Sequence, residues 1–184
     1  MGAAVVRGIR ALSILGGLVA AGLIAAAVLV VCQMVVLRYG FGRTTIWQTD
    51  FVTFGLVAAT FLGAPYVLMT RGHVNVDVLP LHLGPRGRFR LAILAQFVSL
   101  LFALVLAWLA AAFWYEAWDN GWRSDSMWRA RLWIPYLAMP VGLGVLSLQM
   151  LADLYELLTG QQHPFGIAPG TSIAEAIAVK ETGT

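Results

Sequence analysis

In a chain of 184 residues, 60% are hydrophobic, only 11% are charged and the mean hydropathy is +0.80. A soluble domain carries roughly 25% charged residues, so the composition excludes a soluble globular protein and indicates an integral membrane protein. The net charge of +3 then serves orientation rather than nucleic-acid binding, and the single cysteine, Cys32, leaves neither a disulfide framework nor an all-cysteine metal cluster.

Four segments reach the roughly 20 apolar residues that a helix needs to cross a hydrocarbon core. The first, residues 11–37, carries no charge and only Ser13 and Gln33 as polar interruptions. At about 1.5 Å per residue it makes about 40 Å of helix, against a core of about 30 Å, so it tilts or overhangs. It is also longer than a signal-peptide core of about 7–15 residues. Val31 is larger than the small residue expected before a lipoprotein cysteine, so the segment reads as a retained span. The second span is 51–70, the third 91–115 and the fourth about 132–158. In the fourth, Pro135 suits a first turn and Pro140 kinks or delays the helix. The expected architecture is an all-α integral membrane protein. Its four transmembrane helices form one domain over 1–160, with a short interfacial segment between the second and third spans and both termini cytoplasmic. The polar tail, 161–184, is broken by Gly and Pro, and its Ser172/Glu175 capping-box pattern opens a short frayed helix.

The orientation comes from basic residues. Arg7, Arg10, Arg71, Arg86, Arg88, Arg90 and Lys180 fall on one side, and Arg38, Arg43, Arg123, Arg129 and Arg131 on the other. The tight second-loop cluster and the N-terminal pair lie close to spans, where the bias counts most. Trp114, Trp118, Trp122, Trp128, Trp133 and Tyr136 crowd the third loop, and Tyr39 and Trp47 flank the first. Such rings favour the membrane–water interface. They are expected first as interfacial anchors and second as a docking surface for an external partner, both on the outer face.

Buried charges mark ion and substrate paths through a membrane, and these spans hold almost none. Arg38 and Asp50 sit at outer ends, and Arg71, Asp153 and Glu156 at inner ends. A chain so built is expected to move nothing by itself, and no residue set suggests catalysis. It does offer packing faces: Gly55, Ala59 and Gly63 recur every four residues in the second span, as do Ala103, Ala107 and Ala111 in the third. Small residues at that spacing share a helix face and let another helix approach.

The second span has polar ends. At the outer end, "RYGFGRTTIWQTD" places Arg38 and Asp50 where they can pair, with Thr49 or Asp50 as a helix N-cap. At the inner end, "MTRGHVNVDVL" alternates Arg71, His73, Asn75 and Asp77 with apolar residues after Gly72 offers a stop. An extended chain there shows one polar and one apolar face, whereas a helix puts His73 and Asp77 on one face. One His and one Asp are an incomplete metal set.

This order of motifs resembles the DctQ-type small membrane subunit of TRAP (tripartite ATP-independent periplasmic) transporters. Arg38, Tyr39, Phe41, Trp47, Asp50, Gly72, His73 and Asp77 carry the likeness, with Gln149 in the last span, and it extends over roughly residues 10–160. Asp50 stands alone where that family often has one or two Glu, and the family's frequent Trp within the second span is missing. The resemblance implies a bacterial inner-membrane scaffold without cofactors. It would pack along a large many-span membrane subunit and help dock a periplasmic substrate-binding protein, for ion-driven uptake of a small organic solute such as a carboxylate. The polar tetrad Arg71, His73, Asn75 and Asp77 would then cap the second helix, fix the inner connector and touch the large subunit. The competing reading is a haem-bearing membrane anchor of an oxidoreductase, although His73, His82 and His163 all lie outside the spans.

Overall fold

A computed structural model describes residues 3–70 and 85–159. In chain order the elements are α1 (Ala3–Val35), continued by a π-helical turn (Val36–Gly40), α2 (Trp47–Met69), α3 (Pro85–Asp119), a one-turn α4 (Trp133–Tyr136) and α5 (Ala138–Leu158). Four stretches, Val5–Gly40, Trp47–Met69, Phe89–Asp119 and Trp133–Leu158, are long and apolar enough to cross a membrane. A helix satisfies its backbone N–H and C=O groups within one segment, which hydrocarbon demands.

The helices outrun the apolar segments. Among the described residues α1 starts at Ala3 rather than 11, α2 at Trp47 rather than 51, and α3 runs from Pro85 to Asp119 rather than from 91 to 115. Hydropathy marks where side chains suit lipid, but the hydrogen-bond ladder continues into charged and aromatic flanks. The 35 residues of α3 make about 50 Å of helix, so it overhangs a core of about 30 Å. The last span is split at Leu137. Pro140 has no N–H to offer the Tyr136 carbonyl, and it lands in the first turn of α5, where that loss is tolerated.

The last helix is the hub. α5 packs against α1, α2 and α3, while α1 and α2 share the most extensive interface and α3 lies mainly along α5. Arg10, early in α1, meets Glu156, late in α5, so the described chain begins and ends at the same end of the bundle. Among the described residues two side-chain hydrogen bonds tie α3 to its neighbours: Gln96 Nε2 donates to the Met150 carbonyl and Trp114 Nε1 to the Trp133 carbonyl, both at 3.0 Å.

Small residues fill the interior. Ala20, Ala27, Ala59, Ala103, Ala117 and Ala152 are buried, whereas Leu18, Leu29, Phe102 and Trp108 face outward, Trp108 with 77% of its surface exposed. That inversion suits a bilayer, where apolar tails solvate large side chains and close backbone packing holds helices together. The tightest approaches are at Gly16, Gly17 and Gly142. A Cβ on Gly16 would lie 2.5 Å from the Leu62 carbonyl oxygen, one on Gly17 would strike the Tyr66 ring at 2.6 Å, and one on Gly142 would collide with the Phe61 carbonyl. Pro65, buried within α2, explains the last contact. It cannot donate to the carbonyl four residues back, so the Phe61 oxygen is released toward the bare backbone of α5.

Of the small-residue stripes expected from sequence, Gly55 and Ala59 are buried, and a Cβ on Gly63 would lie 3.2 Å from that of Ala20. In α3, Ala103 is buried but Ala111 is exposed, so only part of that stripe packs.

Gly142→Ala is expected to destabilise the chain by about 1–3 kcal/mol through overpacking. Gly22→Ala, which meets nothing within 4 Å, is expected to be neutral or to stabilise by up to about 1 kcal/mol. Thermal unfolding in mild detergent checks both; equal behaviour of the two variants contradicts the packing scheme.

Candidate functional site

Polar side chains gather at the two ends of the bundle. At the end where the described chain begins and finishes, Arg10 Nη2 donates to both Glu156 carboxylate oxygens at 2.8 Å. The Glu156 side chain is 9% exposed and that of Arg10 45%, so the guanidinium reaches toward water while neutralising a nearly buried carboxylate. One turn further along α1, Ser13 is fully buried. Its Oγ lies 3.0 Å from Gln149 Oε1 and 3.1 Å from the Ile9 carbonyl, two acceptors for one hydroxyl proton. Gln149 Nε2 in turn donates to Asp153 Oδ1 at 3.0 Å. A ladder from Ser13 through Gln149 to Asp153 thus joins α1 to α5 beside the ion pair.

At the other end, residues 122–132 form a hairpin-like loop. Ser124 N–H donates to the Ala130 carbonyl at 2.9 Å and Leu132 N–H to the Trp122 carbonyl at 3.1 Å. Gly121 (φ 60°) and Arg129 (φ 49°) supply left-handed turns. Asp50, in the first turn of α2, anchors this loop by accepting from Ser124 Oγ at 3.2 Å and from Ser126 Oγ. Rings brace the hairpin from the other side. Trp118 meets Trp133 edge-on at 4.5 Å and Phe113 lies 5.2 Å from Tyr136.

Against this geometry the sequence expectations divide. Asp50 binds the two serines, not Arg38, and among the described residues the Arg38–Asp50 pair is absent. The hydroxyls win because the hairpin brings them over the start of α2, while Arg38 stays exposed on the π turn. Neither Thr49 nor Asp50 caps α2. The helix already begins at Trp47, and Ile46 before it makes no side-chain cap. Asp50 keeps only the favourable place of an acid in a first turn. Trp47 packs edge-on against Phe51 at 6.0 Å, and Tyr39 is 82% exposed. Arg71, His73 and Asp77 lie outside the described residues, as do His82 and His163. Sequence reasoning missed the Ser13–Gln149 and Arg10–Glu156 contacts and the serine partners of Asp50. The available signal was a lone polar residue in an apolar span, which does not reveal what it faces.

Chemically, these networks are closed. Each carboxylate described above already has a donor, and among the described residues no three His, Cys, Asp or Glu converge as a metal site. They are fastenings between helices. Comparison with known proteins agrees: residues 27–160, well over half of the chain, match the DctQ component of tripartite ATP-independent periplasmic transporters. The chain belongs to the DctQ family. A curated relative, the C4-dicarboxylate TRAP transporter small permease protein DctQ of Vibrio cholerae, is 26% identical over 152 residues, covering 69% of this chain. The chain spans 64% of that relative's length. DctQ proteins are transporter components of bacterial membranes rather than enzymes, and the spans of this one suit that setting. The family match begins within α1 and ends just past α5, so both fastenings fall partly inside it: Gln149 and Glu156 within, Ser13 and Arg10 before it.

Asp50→Ala is expected to loosen the hairpin, so that trypsin cuts after Arg123, Arg129 or Arg131 several-fold faster. Asp50→Asn, whose amide oxygen still accepts, is expected to have a smaller effect; unchanged cleavage in both contradicts the anchoring role. Gln149→Leu is expected to lower stability by about 1 kcal/mol, as interhelical hydrogen bonds in membranes contribute on that scale, with thermal unfolding as the readout.

Proposed function

We propose that this chain is the small permease subunit of a TRAP-type, ion-gradient-driven secondary transporter. In this reading it is the membrane scaffold for a large many-span transport subunit and helps dock a periplasmic substrate-binding protein. The observation that carries the proposal is the DctQ family match over residues 27–160. It is supported by the distribution of charge: the ionisable residues of the described helices cluster near their ends, which suits a supporting subunit better than a pump. The name of the Vibrio cholerae relative motivates a small organic carboxylate, of the C4-dicarboxylate kind, as the solute.

In this reading the chain sits in the inner membrane with both termini in the cytoplasm. The exposed apolar flanks of α1 and α3 meet lipid or the large subunit, and the aromatic hairpin and exposed Tyr39 lie on the periplasmic side where the binding protein docks. Arg71, His73 and Asp77 fix the connector between α2 and α3 and contact the large subunit on the cytoplasmic side. Residues 161–184 form a polar tail beyond the single transmembrane domain. The test is a pull-down of the tagged chain from its native membrane in mild detergent, with a visible spectrum of the same sample and uptake of a labelled C4-dicarboxylate in cells with and without the chain. A stoichiometric many-span partner, no haem band and loss of uptake without the chain are expected. A haem band with a redox partner overturns the reading in favour of an oxidoreductase anchor.

A further inference from the structure

A cavity of about 750 Å³ opens between α2, α5 and the 122–132 hairpin. Its wall is of two kinds. Along α2 it is lined from Phe51 to Leu62 by apolar side chains and the bare backbone of Gly55, with Val141 of α5 and Leu23 of α1 closing it. At the hairpin end it is lined by Arg123, Arg129 and Arg131.

The apolar part runs about 16 Å along α2, at about 1.5 Å per residue, close to half of a hydrocarbon core of about 30 Å. The volume falls within the range of about 300–1,000 Å³ of pockets that hold small molecules. Among the described residues none of the three arginines has a side-chain hydrogen bond or ion pair. The nearby carboxylate of Asp50 is taken by Ser124 and Ser126. Neutral hydroxyls do not cancel the Asp50 charge, so three arginines against Asp50 and Asp125 leave this end one net positive charge.

We infer that this cleft is a binding site for an anionic phospholipid, its headgroup phosphate at Arg123, Arg129 and Arg131 and one acyl chain along Phe54, Ala58 and Leu62. One molecule answers both halves of the wall. An acidic patch on a soluble protein would reach the guanidiniums but not an apolar slot one leaflet deep. An apolar helix of a neighbouring subunit would fill the slot but leave the excess positive charge of the arginines unanswered. Guanidinium forks suit phosphate, and a headgroup without its own ammonium complements the net charge. The inference stands on the cleft alone and not on the transport role.

The test uses the full chain purified in nonionic detergent, with thermal unfolding and native mass spectrometry after adding phosphatidylglycerol, phosphatidylcholine or inorganic phosphate. Phosphatidylglycerol is expected to raise the unfolding temperature and stay as a bound adduct, with phosphatidylcholine and phosphate giving far smaller shifts. The combined variant Arg123→Gln, Arg129→Gln, Arg131→Gln is expected to lose the shift, Ala58→Phe to lose the adduct by blocking the slot, and Arg43→Gln, off the cleft, to keep both. An equal shift with inorganic phosphate overturns the proposal in favour of a bare anion site. Equal shifts with both lipids overturn it in favour of unspecific solvation. A cleft indifferent to every lipid, but protected from labelling at Ala58→Cys when a membrane partner co-purifies, overturns it in favour of a protein occupant. If the triple variant does not fold, the comparison of the three additives on the unaltered chain still decides.

Discussion

The ion pair between Arg10 and Glu156 closes this fold. Helices in a bilayer gain little from burying apolar side chains against one another, because the lipid is as apolar as they are. What fixes their order must be close backbone packing and a few polar contacts. Here the hub helix α5 is fastened to α1 by that pair and by the Ser13–Gln149–Asp153 ladder. Glu156 is nearly buried, and a buried carboxylate without a partner is strongly unfavourable, so the pair is as much a constraint on register as a source of attraction. Once α5 is set against α1, the glycine contacts of α2 with both helices and the Gln96 and Trp114 bonds of α3 have defined places to form.

The two ends of the bundle use different means. The terminal end is held by charges and amides between helices. The opposite end is held by a carboxylate on hydroxyls and by edge-on and tilted ring pairs around a hairpin. Both leave the middle of the described spans uncharged, and this fits a DctQ-family chain whose contribution is shape and attachment. The same economy accounts for Pro65: removing one helical hydrogen bond frees a carbonyl at the place where α5 comes closest.

Much of this was legible in the sequence. Four apolar stretches gave four spanning helices, because lipid solubility is a property of single segments. Helix ends were less legible, since the ladder of α3 ignores the change from apolar to charged side chains. The Arg38–Asp50 pair failed for a different reason. Both residues flank the same loop, and sequence distance favoured them over Ser124 and Ser126, which only folding brings to Asp50. Ser13 and Gln149 were visible as polar interruptions, but their partnership spans 136 positions and no local pattern encodes it. Gly16 and Gly142 looked like ordinary span residues for the same reason.

The most direct test of this account is a charge exchange at the closing pair. Arg10→Glu and Glu156→Arg would be made singly and together, and the unfolding temperature of the full chain measured in mild detergent. Each single variant is expected to be strongly destabilised by facing like charges, and the double variant to recover most of the loss. A double variant as damaged as the sum of its parts would contradict this, and would mean that α1 and α5 are set against each other by the Ser13–Gln149 contact and backbone packing rather than by the ion pair.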